Sequence, residues 1–374
     1  MRRRTAPSGQ PCSPDPPGLG LAAEGQISFV IFEFAGQTGA VRQDRGTGAG
    51  SGLARAGSAD APGGSAASAR GSAGGAAAVL AGAAASGTAG TAAHFAPGGA
   101  SSVSVGAVRI VLGGAVLFGL AVGHPGTRRD LVALLRSSTA NRVSLAAGMV
   151  GISGYQLCFF SAVRLTGVAV GTVVAVGSGP VFAGLISRLT GGGPLTVRWT
   201  VATAGAVAGC ALLIASGRAA GVSLGGVGLA LVAGLCFAVY AVAAARLISR
   251  GNSERVVMGA LLGGAAVLLT PVLAASSPGW LVSPRGLAVG LYLGLITVVG
   301  YLLVGWGFRT VAAPVAVTLG LAEPLVAALL GLLVLDERLT ATATAGLILV
   351  GLALAVLAVP TRSTGTQQGS PPPG

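Results

Sequence analysis

APVAVTLGLAEPLVAALLGLLVLDERLT, residues Ala313–Thr340, is an apolar run interrupted by one acid, Glu323, and at once by Pro324. About 20 apolar residues suffice to cross a bilayer as a helix, and this run is long enough. A carboxylate inside such a run is costly in lipid, so it belongs against protein or water. The run closes on the charged cluster Asp336, Glu337 and Arg338, then Leu339 and Thr340.

An earlier stretch repeats the pattern. In VAVGSGPVFAGLISRLTGGGPLTVRW, residues Val174–Trp199, Pro180 precedes Thr196 by 16 residues, as Pro324 precedes Thr340. Leu195 and Leu339 stand before the two threonines, and Gly154-Tyr155 upstream is matched by Gly300-Tyr301. The prolines lie 324 − 180 = 144 residues apart. Such spacing reads as an internal duplication, the hallmark of many transport folds.

Composition excludes most soluble alternatives. Charged residues make up 9% of the 374-residue chain and apolar residues 52%. A water-facing domain carries about 25% charged residues. The formal charge is +13, and every basic residue is arginine. A nucleic-acid surface would cluster its cations on one folded face among aromatics. Here the arginines punctuate apolar runs instead, a membrane-topology pattern, so no nucleic-acid partner is expected. Cys12, Cys158, Cys210 and Cys236 form no CxxC pair and imply neither a zinc site nor a disulfide framework.

Residues 1–72 are rich in Gly, Ala, Ser, Pro and Arg. Too little apolar surface is available there to offset ordering entropy, so a disordered basic tail is expected, with a second at 361–374. Whether 1–72 is a cytoplasmic extension or the product of an upstream start codon stays open. Between the tails run ten apolar segments, roughly 74–95, 103–123, 143–162, 167–187, 196–216, 222–245, 256–275, 286–306, 311–335 and 341–360. The expected fold is therefore an all-α integral membrane protein with ten transmembrane helices joined by short loops. Its two five-helix units are 73–218 and 219–360. Five is odd, so the second unit enters the membrane inverted, which places a site near the midplane between the halves.

Orientation follows from the arginines. With the N-terminus inside, the inner loops hold Arg128, Arg129, Arg136, Arg142, Arg188, Arg198, Arg246, Arg250, Arg255 and Arg309, with Arg362 in the tail. The outer loops hold Arg164, Arg218, Arg285 and Arg338. Positive charge marks the cytoplasmic side, so both termini are expected there. Arginine-only, Ala- and Gly-rich usage points to a GC-rich bacterial gene, whose product would sit in the plasma membrane.

The chain resembles the EamA family of the drug/metabolite transporter superfamily over about 74–360. The resemblance rests on Arg109 in VGAVRIVLGGAVLF, the run Gly154-Tyr155-Gln156 to Gly167, and Pro180 with Leu195-Thr196. In the second half it rests on Ala322-Glu323-Pro324, Glu337-Arg338-Leu339-Thr340, Gly346 and Gly351. LAGAAASGTAGTAAHFAPGGAS resembles the family's first helix, with Ser86-Gly87-Thr88 where a tryptophan before the glycine is expected. The first copy also departs from the pattern: GGGPLT stands where the second has LDERLT, so paired acids do not act symmetrically. The resemblance implies secondary transport of a small metabolite by alternating access, often export of an amino acid, without naming the substrate. No cofactor is implied.

Within that frame Glu323 is the first functional candidate: a midplane carboxylate can bind a proton, as coupling ion, or a substrate amine. Its structural alternative is an Glu-Pro opening of the ninth helix that accepts hydrogen bonds from a neighbour. Pro180 and Pro324 are expected to kink their helices. Arg109 pairs with a substrate carboxylate or Glu323, or else snorkels to the outer interface. Tyr155, Gln156, Tyr240, Tyr301 and Trp306 are candidates for lining a cavity, against an interfacial role. His94 reads as interfacial rather than as a proton relay, and Asp336, Glu337 and Arg338 as a loop anchor. No Walker A, HExxH or GxSxG arrangement is present, so an enzyme is not expected. An intramembrane enzyme and a non-transporting scaffold remain the alternatives to transport.

Overall fold

The computed structural model describes residues 63–166, 168–215, 223–334 and 340–359. The expectations for residues 1–62, the C-terminal tail, Arg218, and Asp336, Glu337 and Arg338 lie outside these. The described residues are helical, with no strand among them. In order they form α1 (Gly63–His94), α2 (Ser102–Gly123), α3 (Pro125–Leu135), α4 (Thr139–Thr166), α5 (Val168–Leu189) and α6 (Val197–Ala215). There follow α7 (Leu224–Ser249), α8 (Glu254–Ala275), a 3-10 turn at Pro278–Val282, α9 (Pro284–Gly307), α10 (Ala313–Leu319), α11 (Ala322–Val334) and α12 (Ala341–Ala358).

Among the described residues eight spans are long and apolar enough to cross a membrane, and α6 and α12 contribute two shorter apolar segments. Their outer surfaces carry large apolar side chains: Leu120 is 57% exposed, Val201 65% and Val267 72%. A soluble protein rarely shows so much contiguous apolar surface, whereas lipid demands it. Inside the bundle, serine and threonine hydroxyls are satisfied by the carbonyl one turn back. Ser153 donates to Met149, Thr166 to Ala162 and Thr297 to Leu293. In a medium without water these bonds remove an otherwise costly orphan donor.

Two connections are more structured than the short loops expected from sequence. The link between α2 and α4 folds into α3, because His124 caps it through Nδ1, to which the Gly126 N–H donates at 3.2 Å, and Pro125 sits at its first position. The link before α9 makes the 3-10 turn, held by Trp280 Nε1 donating to Ser104 Oγ of α2 at 2.9 Å.

The helices pair across the two halves with a symmetry that sequence could not supply. Helix α1 packs on α9 as α4 packs on α7; α5 packs on α7 as α11 packs on α1; α2 pairs with α8, and α6 with α12. Each pairing turns into another, or into itself, when each half is exchanged for the other. That is what a two-fold relation between the repeats produces.

Glycines let these helices meet. A Cβ on Gly114 would lie 2.3 Å from the Leu262 carbonyl oxygen of α8, and one on Gly82 would lie 2.8 Å from that of Gly300 in α9. Backbones approach closely only where side chains are absent, which is how apolar helices associate without a hydrophobic driving force.

The expected ninth helix is interrupted. Gly320 and Leu321 separate α10 from α11, and Glu323 falls in the first turn of α11. The Leu321 N–H donates to Thr318 and the Glu323 N–H to Gly320, each at 3.0 Å and only three residues back. Such tightened turns mark a helix end, and Pro324 supplies no N–H to continue the ladder. The matching Pro180 lies buried inside α5, which runs on through it.

Candidate functional site

Four helices from both halves converge on a small central cavity. Arg109 and Ile110 come from α2, Ile152, Tyr155 and Gln156 from α4, Phe237 and Tyr240 from α7, and Tyr301 from α9. Each residue lies well inside its helix, away from either end. Free volume at the centre is about 20 Å³, room for about one water molecule.

One wall is a continuous aromatic stack. Tyr155 lies parallel to Phe159 at 5.5 Å and meets Phe237 at 5.5 Å. Phe237 meets Tyr240 at 5.9 Å, and Tyr240 meets Tyr301 at 5.7 Å. These centroid separations lie in the range where aromatic pairs attract. Three tyrosine rings from α4, α7 and α9 are thus linked through Phe237. Phe237 was absent from the sequence candidates, yet it stands three residues before Tyr240 and so shares its helix face. That spacing was the available signal.

The opposite element is charged. Arg109 is half-buried, and its Nε is buried without a hydrogen-bond partner. Glu323 is also part-buried and lies within electrostatic reach of Arg109, Tyr155 and Tyr301. No ion pair within 4.0 Å joins Arg109 to Glu323; among the described residues Arg309 and Glu254 form an ion pair instead, at 3.9 Å. The first turn of α11 presents the partial positive charge of a helix N-terminus to the Glu323 carboxylate.

The other candidates divide by geometry. Gln156 is 8% exposed, and its Nε2 donates to the Gly106 carbonyl of α2 at 3.0 Å, so part of its amide is committed to holding α4 against α2. A Cβ on Gly106 would lie 2.2 Å from Phe160 Cε2, which is why a glycine stands there. Trp306 lies apart from the group: it is 45% exposed and borders Gly74 of α1. Five residues beyond Tyr301 on the same helix, it is rotated about 140° from it. His94 is exposed at the end of α1, edge-on to Phe95 at 5.7 Å. Cys158, Cys210 and Cys236 are free thiols, and no metal-ligating cluster occurs among the described residues.

A cation and three phenols line one cavity, and a carboxylate, Glu323, stands within electrostatic reach of the cation and of two of those phenols, which together form a binding arrangement. The polar groups can hold a small polar or zwitterionic molecule while the rings exclude water.

Comparison with known proteins places this arrangement in context. The EamA-like transporter family matches residues 73–215 and 224–359, once for each half. The protein described as "Uncharacterized transporter YwfM" from Bacillus subtilis (strain 168) is 38% identical over 229 residues, covering 61% of this chain and 76% of that protein. A crystal structure, titled only as that of a protein, superposes with a TM-score of 0.62 at 22% identity, over 74% of this chain and 94% of its own. At that identity the likeness extends to the fold alone.

Proposed function

The chain belongs to the EamA-like transporter family, and from that premise we propose that it exports a small metabolite by alternating access. It is a transmembrane transporter set in the bilayer by many apolar helices. The proposed architecture has ten spanning helices, with α10 and α11 forming one span and α6 and α12 completing their halves. Two odd-numbered halves related by a two-fold pairing support the inverted arrangement. The arginine bias supports cytoplasmic termini and a plasma-membrane setting.

The observation carrying the reading is the central cavity built from both halves, with Arg109 and Glu323 in reach of the same tyrosines. A substrate such as an amino acid would place its carboxylate at Arg109 and its ammonium at Glu323, and a proton competing for Glu323 would couple the cycle. Room for about one water cannot admit such a molecule, so the halves must part to load the site. The break between α10 and α11 beside Glu323 gives one place for that movement.

The test compares extracellular metabolites of cells expressing wild type, Glu323→Gln and an empty vector at matched membrane levels. Enrichment of one compound by wild type alone supports export and implicates Glu323. Coincidence of all three profiles, with import also absent in uptake assays, overturns the transport reading at this site.

A further inference from the structure

A second, larger hollow lies away from the central cavity. It is an apolar groove of about 410 Å³ between α2, α3, α4 and α8. Leu131 and Leu135 of α3 line one end, Phe118 and Met149 its flank, and Ala260, Val267 and other residues to Thr270 its length along α8. Ten residues of helix rise about 15 Å, half the roughly 30 Å hydrocarbon core and thus the depth of one leaflet. Val267 is 72% exposed, so the groove opens sideways to the lipid. Its glycine floor is structural: a Cβ on Gly263 would lie 2.8 Å from Phe118, and one on Gly264 2.4 Å from Met149 Sδ.

The end of the groove is cationic. Helix α3 is amphipathic, with Leu131 and Leu134 buried and Arg128, Arg129 and Asp130 exposed. Arg128 precedes Leu131 by three residues and Leu135 by seven, so it shares the face of the two groove-lining leucines. Arg136 follows at the helix C-terminus, also exposed. Among the described residues none of Arg128, Arg129 and Arg136 has an ion-pair partner. A one-leaflet apolar channel leading to unpaired arginines at the membrane surface matches one molecule: a phospholipid with an anionic headgroup.

We propose that this groove is a specific site for an anionic phospholipid, with one acyl chain along α8 and the headgroup on Arg128 and Arg129. The site is independent of the transport reading, because none of its residues lines the central cavity.

Native mass spectrometry of the purified full chain, titrated with phosphatidylglycerol or phosphatidylcholine of identical acyl chains, tests it. Wild type is expected to retain one phosphatidylglycerol where phosphatidylcholine dissociates. Arg128→Gln with Arg129→Gln should weaken phosphatidylglycerol about 25-fold, about fivefold per arginine, and leave phosphatidylcholine unchanged. Val267→Trp, which fills the groove from its lipid-exposed rim, should weaken both lipids. Equal affinity of wild type for the two lipids overturns the proposal. So does undiminished phosphatidylglycerol preference in the double variant, undiminished binding in Val267→Trp, or equal competition by soluble glycerophosphate.

Discussion

Gly114 and Gly259 occupy equivalent places in the two halves: each faces a backbone carbonyl of the other's helix. Gly114 of α2 stands against Leu262, and Gly259 of α8 stands against Leu117, with Cβ positions 2.3 and 2.9 Å from those carbonyl oxygens. Both members of the first contact map onto the second by the same shift, 259 − 114 = 145 and 262 − 117 = 145. The duplication seen in the sequence is therefore preserved in the contact that joins the halves.

Gly114→Ala should lower thermal stability in detergent by about 1–3 kcal/mol, the usual cost of overpacking. A methyl cannot move a carbonyl of a packed helix. Gly119 on the same helix has nothing within 4 Å of its Cβ position, so Gly119→Ala should be neutral or stabilise by up to about 1 kcal/mol. Equal effects of the two substitutions would contradict the seam.

Arg109→Gln should reduce transport at least about tenfold without lowering the unfolding temperature. Its Nε makes no hydrogen bond, so the substitution removes a poorly compensated charge rather than a native contact. Loss of function with retained or raised stability is the mark of a site residue held under strain. A parallel fall in both would assign Arg109 a structural role.

Thr203→Val, which removes the hydroxyl, should cost about 1 kcal/mol, and Thr203→Ser, which keeps the hydroxyl but deletes a buried methyl, about 0.8 kcal/mol. The Thr203 and Thr318 hydroxyls lie 3.0 Å apart in the buried contact of α6 with α10. Thr318 gives its only proton to the Pro314 carbonyl at 2.9 Å, so Thr203 must be the donor between them. Thermal unfolding of the two variants at matched detergent separates the hydroxyl from the methyl.

Phe237→Ala should destabilise the protein by about 3 kcal/mol or more, the low end for deleting a packed ring. It removes the ring joining Tyr155 to Tyr240 and enlarges the cavity beside them. Phe237→Leu should recover much of that stability while shifting substrate preference, read by competition among candidate metabolites.

Sequence alone determined that this chain lives in lipid and is built twice. Apolar length and scarce charge leave no other solvent, and the repeated spacing from Pro180 to Thr196 and Pro324 to Thr340 is a one-dimensional fact. It also pointed to Arg109, Tyr155, Gln156, Tyr240, Tyr301 and Glu323, because polar groups in apolar runs need partners. Tertiary structure decided which of these meet. Trp306 left the group because five residues turn a helix face away, and Phe237 joined it because three residues keep one. The break before Glu323 depends on bonds closing three residues back at Gly320 and Leu321. The groove beside α3 exists because four helices meet there, with Gly263 and Gly264 of α8 facing Phe118 of α2 and Met149 of α4. Hydropathy is local and survives in one dimension; which faces meet depends on helix rotation and crossing, set by contacts between residues far apart in the chain.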